Sequence, residues 1–415
     1  MILHPKLNDL FSGFNREGVT WSLLRLPSIA GGSGGDIDLL IAREDIPAAY
    51  KVLEDQGFSR LPGWKPGLHY LLYDLPTDSW LWIHAVTELS FGRFSLLHTN
   101  AEQACLVRRQ RDGVIYSLRP EDAFWVTLLH CLFDKGKIAA HHRVALQDRA
   151  NASVENSPLA HIVGKTCPPG WGAGRIVELV CQADWRELEG FAPILAKHWM
   201  RYQQIGAPQI LRKKIYYRFV RLLNLFRSRG VSVALIGPDG AGKSTLIVAI
   251  QEGFILPVRP VYMGLTGGWL RHVDRLSLPF LVIPGRLLVF WGRYLLAQYH
   301  QLCGRLVVFD RYLYDYAVPT PYPLNTLQRA YRWIDGHACP GPDLTLILDA
   351  PGEIMFRRKG EYSPEMLEDW RQHFLAIRSR VKKSEIVDTT GPIEEVRGQV
   401  IHRIWQCYAR RWKES

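Results

Sequence analysis

The chain has 415 residues, more than one ordinary core accommodates, so two or three domains are expected. Hydrophobic residues make up 47% and charged residues 22%, the balance of a folded soluble protein rather than a disordered one. The formal net charge of +11 favours anionic partners: nucleotides, phosphosugars, nucleic acid or an acidic membrane surface. Seven cysteines, an odd number with no C-x-x-C pair, read as reduced thiols. The opening MILHPKLNDLFSGF has no basic stretch leading into an apolar one, and the apolar run Leu276–Trp291 is broken by Pro279, Pro284, Gly285 and Arg286. No transmembrane segment and a cytoplasmic location are therefore expected.

The first third reads as mixed α/β. Asp36-Ile37-Asp38-Leu39-Leu40-Ile41 predicts a short strand with acids at its start, and DIPAAYKVLEDQ (45–56) predicts a helix capped by Asp45 and ended by Gly57. Residues 69–73 and 81–86 read as strands separated by the turn signal Leu-Pro-Thr-Asp. From Pro120, PEDAFWVTLLHCLF has helical spacing. Residues 151–175, rich in Ser, Asn, Pro and Gly, read as a loop before further helix. Seven basic residues and no acid lie between Pro208 and Gly230: Arg212, Lys213, Lys214, Arg218, Arg221, Arg227 and Arg229. Ile215, Phe219, Leu222, Leu223 and Phe226 would share one helix face, which predicts a connector packed between domains; membrane-surface or nucleic-acid contact is the alternative. The expected layout is 1–150, 151–228 and 229–415.

Beyond the connector, VSVALI (231–236) is an apolar run suited to a buried parallel strand. It leads into Gly237-Pro238-Asp239-Gly240-Ala241-Gly242-Lys243-Ser244-Thr245 and then the helical LIVAIQEGF, satisfying G-x-x-x-x-G-K-[ST] in a strand–loop–helix setting. Glycines let backbone N–H groups approach phosphate oxygens, and the helix N-terminus adds a favourable dipole. Lys243 would meet the β- and γ-phosphates and Ser244 a magnesium ion. A second apolar run, 304–309, ends in Asp310-Arg311-Tyr312, and a third, 342–349, ends in Asp349. Functional groups gather at the carboxyl ends of parallel strands, so Asp310 is expected to face the metal and Arg311 a phosphate. Arg357-Arg358-Lys359 would then supply cations on a mobile segment over the phosphates.

GPDGAGKST, GRLVVFDRY, PDLTLILDA with its basic segment, and Ile386-Val387-Asp388-Thr389 followed by PIEEV, taken in this order, resemble thymidylate kinase over roughly residues 229–410. The resemblance implies an α/β P-loop sheet with flanking helices that uses ATP and magnesium. It implies nucleotide binding by Gly237, Asp239, Gly240, Ala241, Gly242, Lys243, Ser244 and Thr245, with Ser244 and Asp310 at the metal. Catalytic roles fall to Lys243, Asp310, Arg311, Arg357 and Arg358, and Phe290 and Arg293 would correspond to the family's base-stacking Phe and base-binding Arg. The acceptor would be a nucleoside monophosphate or related small molecule, and a homodimer is a further expectation. The family's Arg-Glu-Pro-Gly-Gly-Thr-like loop is not matched by Arg259-Pro260-Val261-Tyr262-Met263-Gly264-Leu265-Thr266-Gly267-Gly268, so the acceptor stays open. Asp315, one helical turn past Asp310, is a candidate general base or acceptor ligand.

In the first domain, Gly31-Gly32-Ser33-Gly34-Gly35-Asp36-Ile37-Asp38 resembles the Gly-Ser loop and Asp-x-Asp strand of the nucleotidyltransferase fold, an α+β domain. Period-two geometry puts Asp36 and Asp38 on one strand face, where both could bind magnesium. A third carboxylate has no counterpart at Leu81-Trp82-Ile83-His84; His84, with His130 and Asp134, resembles a group of nucleotidyltransferase-like domains followed by a helical region. Three readings stay open: a phosphotransferase, a non-catalytic ATP-binding module coupling two domains, and nucleotidyl transfer by the first domain. No nucleic-acid-binding module is recognised.

Overall fold

The computed structural model describes residues 3–25, 35–62, 68–150, 152–227, 229–264, 279–318 and 323–414. The loop 31–34 and the stretch 265–268 lie outside the described residues. The chain divides into two compact units, one of residues 1–72 and 79–224, the other of 73–78 and 225–415.

The first unit is built on a seven-stranded mixed sheet. Its strands are β1 (Trp21–Leu23), β2 (Asp36–Ile41), β3 (Ser59–Arg60), β4 (Leu68–Asp74), β5 (Ser79–Val86), β8 (Gln110–Asp112) and β9 (Ile115–Ser117), in the order β3-β4-β5-β2-β1-β9-β8. A separate hairpin pairs β6 (Ser90–Phe91) with β7 (Leu97–His98). Alternation along β2 divides the core in two. Ile37, Leu39 and Ile41 pack with α1 (Pro5–Arg16) and α2 (Ile46–Asp55), whereas Leu40 joins the helical cluster on the other face. Asp36 and Asp38 share the parity of Leu40 and so face the helical side.

That helical side comprises α3 (Glu102–Val107), α4 (Pro120–Leu129), α5 (Ala140–Arg149), α6 (Pro158–Thr166), α7 (Ala173–Cys181) and α8 (Trp185–Tyr202). Residues 151–175, expected as a loop, therefore contain a helix. Ser157 caps it by accepting from the Leu159 N–H, Pro158 sits at its first position, and Leu159, Ala160 and Val163 are buried on one side. Asp45 departs from expectation as well. It precedes α2, but its carboxylate accepts from the Thr20 N–H at 2.8 Å and makes no cap bond to its own helix.

Residues Ala207–Arg227 form α9, a 21-residue helix. Of the stripe expected to pack, Ile215, Phe219 and Leu222 are each more than half exposed (58%, 57% and 55%), while the side chains of Leu223 and Phe226 lie outside those described. The helix is anchored by its other side, where Lys213 donates to the Ser95 carbonyl at 3.0 Å and Tyr217 stacks on Phe94.

The second unit is a five-stranded, wholly parallel sheet. The strands β10 (Ser232–Ile236), β11 (Val258–Tyr262), β12 (Leu306–Asp310), β13 (Leu344–Asp349) and β14 (Ser384–Asp388) lie in the order β11-β12-β10-β13-β14. Buried on both faces, β10 is apolar but for Ser232, as parallel strands require. The helices are α10 (Lys243–Gly253), α11 (Pro279–Leu302), α12 (Thr326–Gly336), α13 (Gly352–Lys359), α14 (Pro364–Ile377) and α15 (Ile393–Glu414). The first strand of the unit sits between the third and fourth, so chain order reverses at β10. That crevice is where open α/β sheets place ligands. Among the described residues no helix is long and apolar enough to cross a membrane, and all seven cysteines are free.

Candidate active site

The loop after β10 is shaped by its glycines. Gly240 has φ +88°, and a Cβ there would lie 2.5 Å from the Met355 carbonyl oxygen; a Cβ at Gly237 would lie 2.8 Å from that of Leu348. Only glycine fits both demands, a left-handed backbone and close approach to another chain segment. The loop delivers the chain into α10, whose N-terminus has no side-chain cap. Its first amides are left for a ligand or solvent, and its dipole favours an anion there.

A cavity of about 710 Å³ opens in front of this turn, lined by Asp239 to Leu246 and, opposite, by Asp310, Arg311, Arg358 and Lys359. Lys243 is buried at its floor and donates to the Gly237 and Pro238 carbonyls, both at 2.7 Å. Burial and the nearby Arg311 push its pKa down to about 8, against the pull of Asp239, Asp315 and Asp310. Ser244 and Thr245 are exposed at the start of α10.

Asp239 is the hub of the site. Its carboxylate meets Arg311 at 2.7 Å, Lys359 at 3.6 Å and Lys243 at 3.8 Å. Three cations from three separate segments thus converge on one carboxylate, the arrangement that would receive a phosphate. Arg311 reaches it from a left-handed backbone, φ +65°, rare for a non-glycine residue and concentrated at functional sites. Burial works against the Arg311 charge, but Asp239 and Asp315 overcome it and raise its pKa.

Asp310 ends β12 in register with Tyr262 and Leu235 and lines the cavity. Asp315 lies on a short 3-10 turn, Leu313–Ala317, rather than an α-helix. It is almost wholly buried beneath Arg311, 3.9 Å away, and does not line the cavity; among the described residues its Oδ1 has no hydrogen-bond partner. Burial raises its pKa to about 6, with Arg311 and Lys243 opposing.

The basic cluster expected on a mobile segment forms the last turn of α13, closed by Gly360 in a left-handed cap. Cations there complement the helix dipole. Helical spacing separates the three: Arg358 and Lys359 line the cavity, and Arg357, exposed, does not. Arg358 also donates to the Thr389 carbonyl at 2.7 Å. Phe290 is fully buried in the core beside Tyr316, and a ring enclosed there cannot stack on a ligand base. Arg293 donates to the Gly264 carbonyl at 3.1 Å and lies over the Tyr262 ring. Lys359 was legible as part of the basic run, but nothing in the sequence pointed to Tyr262 or Thr389 as cavity walls.

In the first unit β2 and β5 run parallel with Asp38 opposite His84. Asp36, Asp38 and His84 offer ligand atoms within 4.8 Å of one another, so a histidine stands where the third carboxylate was sought. His84 Nδ1 is 2.8 Å from Asp38 Oδ1, its ring stacks on His69, and Arg25 forms an ion pair with Asp38. Burial opposes the Asp38 charge, yet His84 and Arg25 hold its pKa below the usual range. His130 and Asp134 pair with each other at 2.8 Å, and Asp134 also accepts from the Gly92 N–H.

No protein-family model matches the chain, and no curated protein matches it. Among solved structures, thymidylate kinase from Candida albicans shares 21% identity over 43% of this chain and 90% of that one, with a TM-score of 0.34. A likeness that distant carries no weight for this chain's activity.

Proposed function

We propose that the second unit is an ATP- and magnesium-dependent phosphotransferase acting on a nucleoside monophosphate or a related small acceptor. The observation that carries this reading is the P-loop cavity, with buried Lys243 at its floor and Arg311, Arg358 and Lys359 facing it. The donor set fits the proposed ligands. Uncapped amides at the start of α10 and the Lys243 ammonium suit a polyphosphate, and the Ser244 hydroxyl with the Asp310 carboxylate offers the hard oxygens magnesium takes. ATP would supply the phosphoryl group and magnesium the charge that steadies it. On arrival of a polyphosphate, Lys243 would exchange its two carbonyl partners for phosphate oxygens. Arg311 and Lys359 would exchange Asp239 for the same charge, and Arg358 would add to it. Cations so placed act on charge spread over the transferring group. The test is ATP consumption against a panel of acceptors. Lys243→Ala should lower turnover by several orders of magnitude, and unchanged turnover would reject the site.

A second reading concerns the first unit, where Asp36, Asp38 and His84 favour nucleotidyl transfer or nucleotide binding. Pyrophosphate release abolished by Asp38→Asn would support it, and release that persists would discard it. We also propose that the chain forms a homodimer through α11, whose Leu288, Trp291, Leu295 and Tyr299 form an exposed apolar stripe at helical spacing.

A further inference from the structure

Behind the 313–317 turn lies another cavity, of about 760 Å³, that shares no lining residue with the P-loop cavity. Its walls come from the turn itself, from α12 and from the end of α14. The composition is unusual. Arg329, Arg332 and Arg380 line it, no carboxylate does, and among the described residues none of these arginines has an ion-pair partner. Arg329 and Arg380 reach it from exposed positions, whereas Arg332 is half-buried, and a guanidinium withdrawn from water is ordinarily matched by an acid or an anionic ligand.

Arg332 is the best fixed of the three. It is half-buried over the Tyr316 ring and donates through one terminal nitrogen to the Tyr316 and Val318 carbonyls at 2.8 and 2.6 Å. A guanidinium has five N–H groups, and among the described residues those on its other two nitrogens have no hydrogen-bond partner. Burial lowers the pKa of this arginine, with Tyr316 and Asp335 opposing, the mark of a charge held away from water. Facing it are flat rings: Tyr314, Tyr316, and Trp333, which rests on His337 at 4.7 Å yet stays 66% exposed.

We infer that this cavity is a second nucleoside-phosphate site, with the base against the Trp333 indole and the phosphate among Arg329, Arg332 and Arg380. Its volume lies in the range of small-ligand pockets. Aromatic faces accept any base by stacking, and arginine forks match phosphate oxygens. Tyr314 and Tyr316 face this cavity while Asp315, between them, pairs with Arg311 of the other cavity, so one short turn serves both.

The test is equilibrium dialysis of the full chain with radiolabelled ADP and UDP, one purine and one pyrimidine, in the presence of magnesium. Lys243→Ala disables the P-loop, and binding that remains in this variant is assigned by adding Arg329→Ala, Trp333→Ala and Arg380→Ala, all exposed positions. The remaining affinity should drop at least about tenfold in the combined variant. No binding of either nucleotide by the Lys243→Ala chain at millimolar concentration would overturn the inference, as would binding unaffected by the three further changes. Wild-type affinity and stoichiometry in Lys243→Ala would instead refute the P-loop reading, without touching the assignment made by the other three changes.

Discussion

Replacing Asp315 by Asn should stabilise the second unit, and the gain should vanish in acid. The carboxyl is almost wholly buried, one oxygen has no hydrogen-bond partner among the described residues, and its folded pKa is about 6 against an ordinary value of 3.8. The folded pKa lies above the unfolded one, so the fold favours the protonated form. Stability from this group is complete below pH 3.8 and is lost as pH rises through about 6. That rise persists against the attraction of Arg311 and Lys243. It corresponds to about 3 kcal/mol of destabilisation at pH 8, falling to under about 1 kcal/mol at pH 4. Asn keeps the shape of the acid form and escapes this cost. Urea unfolding followed by tryptophan fluorescence at pH 4, 6 and 8 would measure it. The variant should exceed wild type by a few kcal/mol at pH 8, with the gap closing toward pH 4. An equal gap at all three values, or a less stable variant at pH 8, would refute the account of a strained buried carboxylate. If catalysis needs that charge, the more stable variant will be the less active one, as expected where function holds strain.

Other predictions follow from single contacts. Gly240→Ala places a Cβ 2.5 Å from the Met355 carbonyl at a left-handed φ, so it should cost roughly 1–3 kcal/mol and weaken nucleotide binding. Gly164→Ala, in α6 with open space around it, should be neutral or stabilising by up to about 1 kcal/mol; thermal melts of the two variants make the comparison. Phe290→Ala should cost about 3–5 kcal/mol in urea unfolding if the ring is core. An unchanged midpoint with lost acceptor binding would restore the base-stacking role. Leu295→Arg, on the exposed stripe of α11, should convert a dimer to monomer in sedimentation while shifting stability by no more than about 0.5 kcal/mol. A wild type that is monomeric at tens of micromolar would end the dimer proposal.

What the chain order alone settles here is local. VSVALI, the glycine-rich turn and LIVAIQEGF are contiguous, and β10, the loop and α10 lie where that run puts them, because a buried parallel strand, a positive-φ turn and a helix start each leave their mark within a few residues. The alternation of Asp36 and Asp38 with Ile37 and Leu39 is legible for the same reason. Tertiary structure decided everything that depends on a partner distant in sequence. His84 stands beside Asp38 only because β5 pairs in one register with β2. Asp239 is a hub only because Arg311 and Lys359, 72 and 120 residues on, fold back to it. Phe290 is core and Ile215 is bare because burial depends on what packs opposite, and an apolar residue at helical spacing carries no record of its neighbour. The second cavity shows both cases: Arg329 and Arg332 are one turn apart on α12, but only packing brings Arg380, some fifty residues on, to the same cavity.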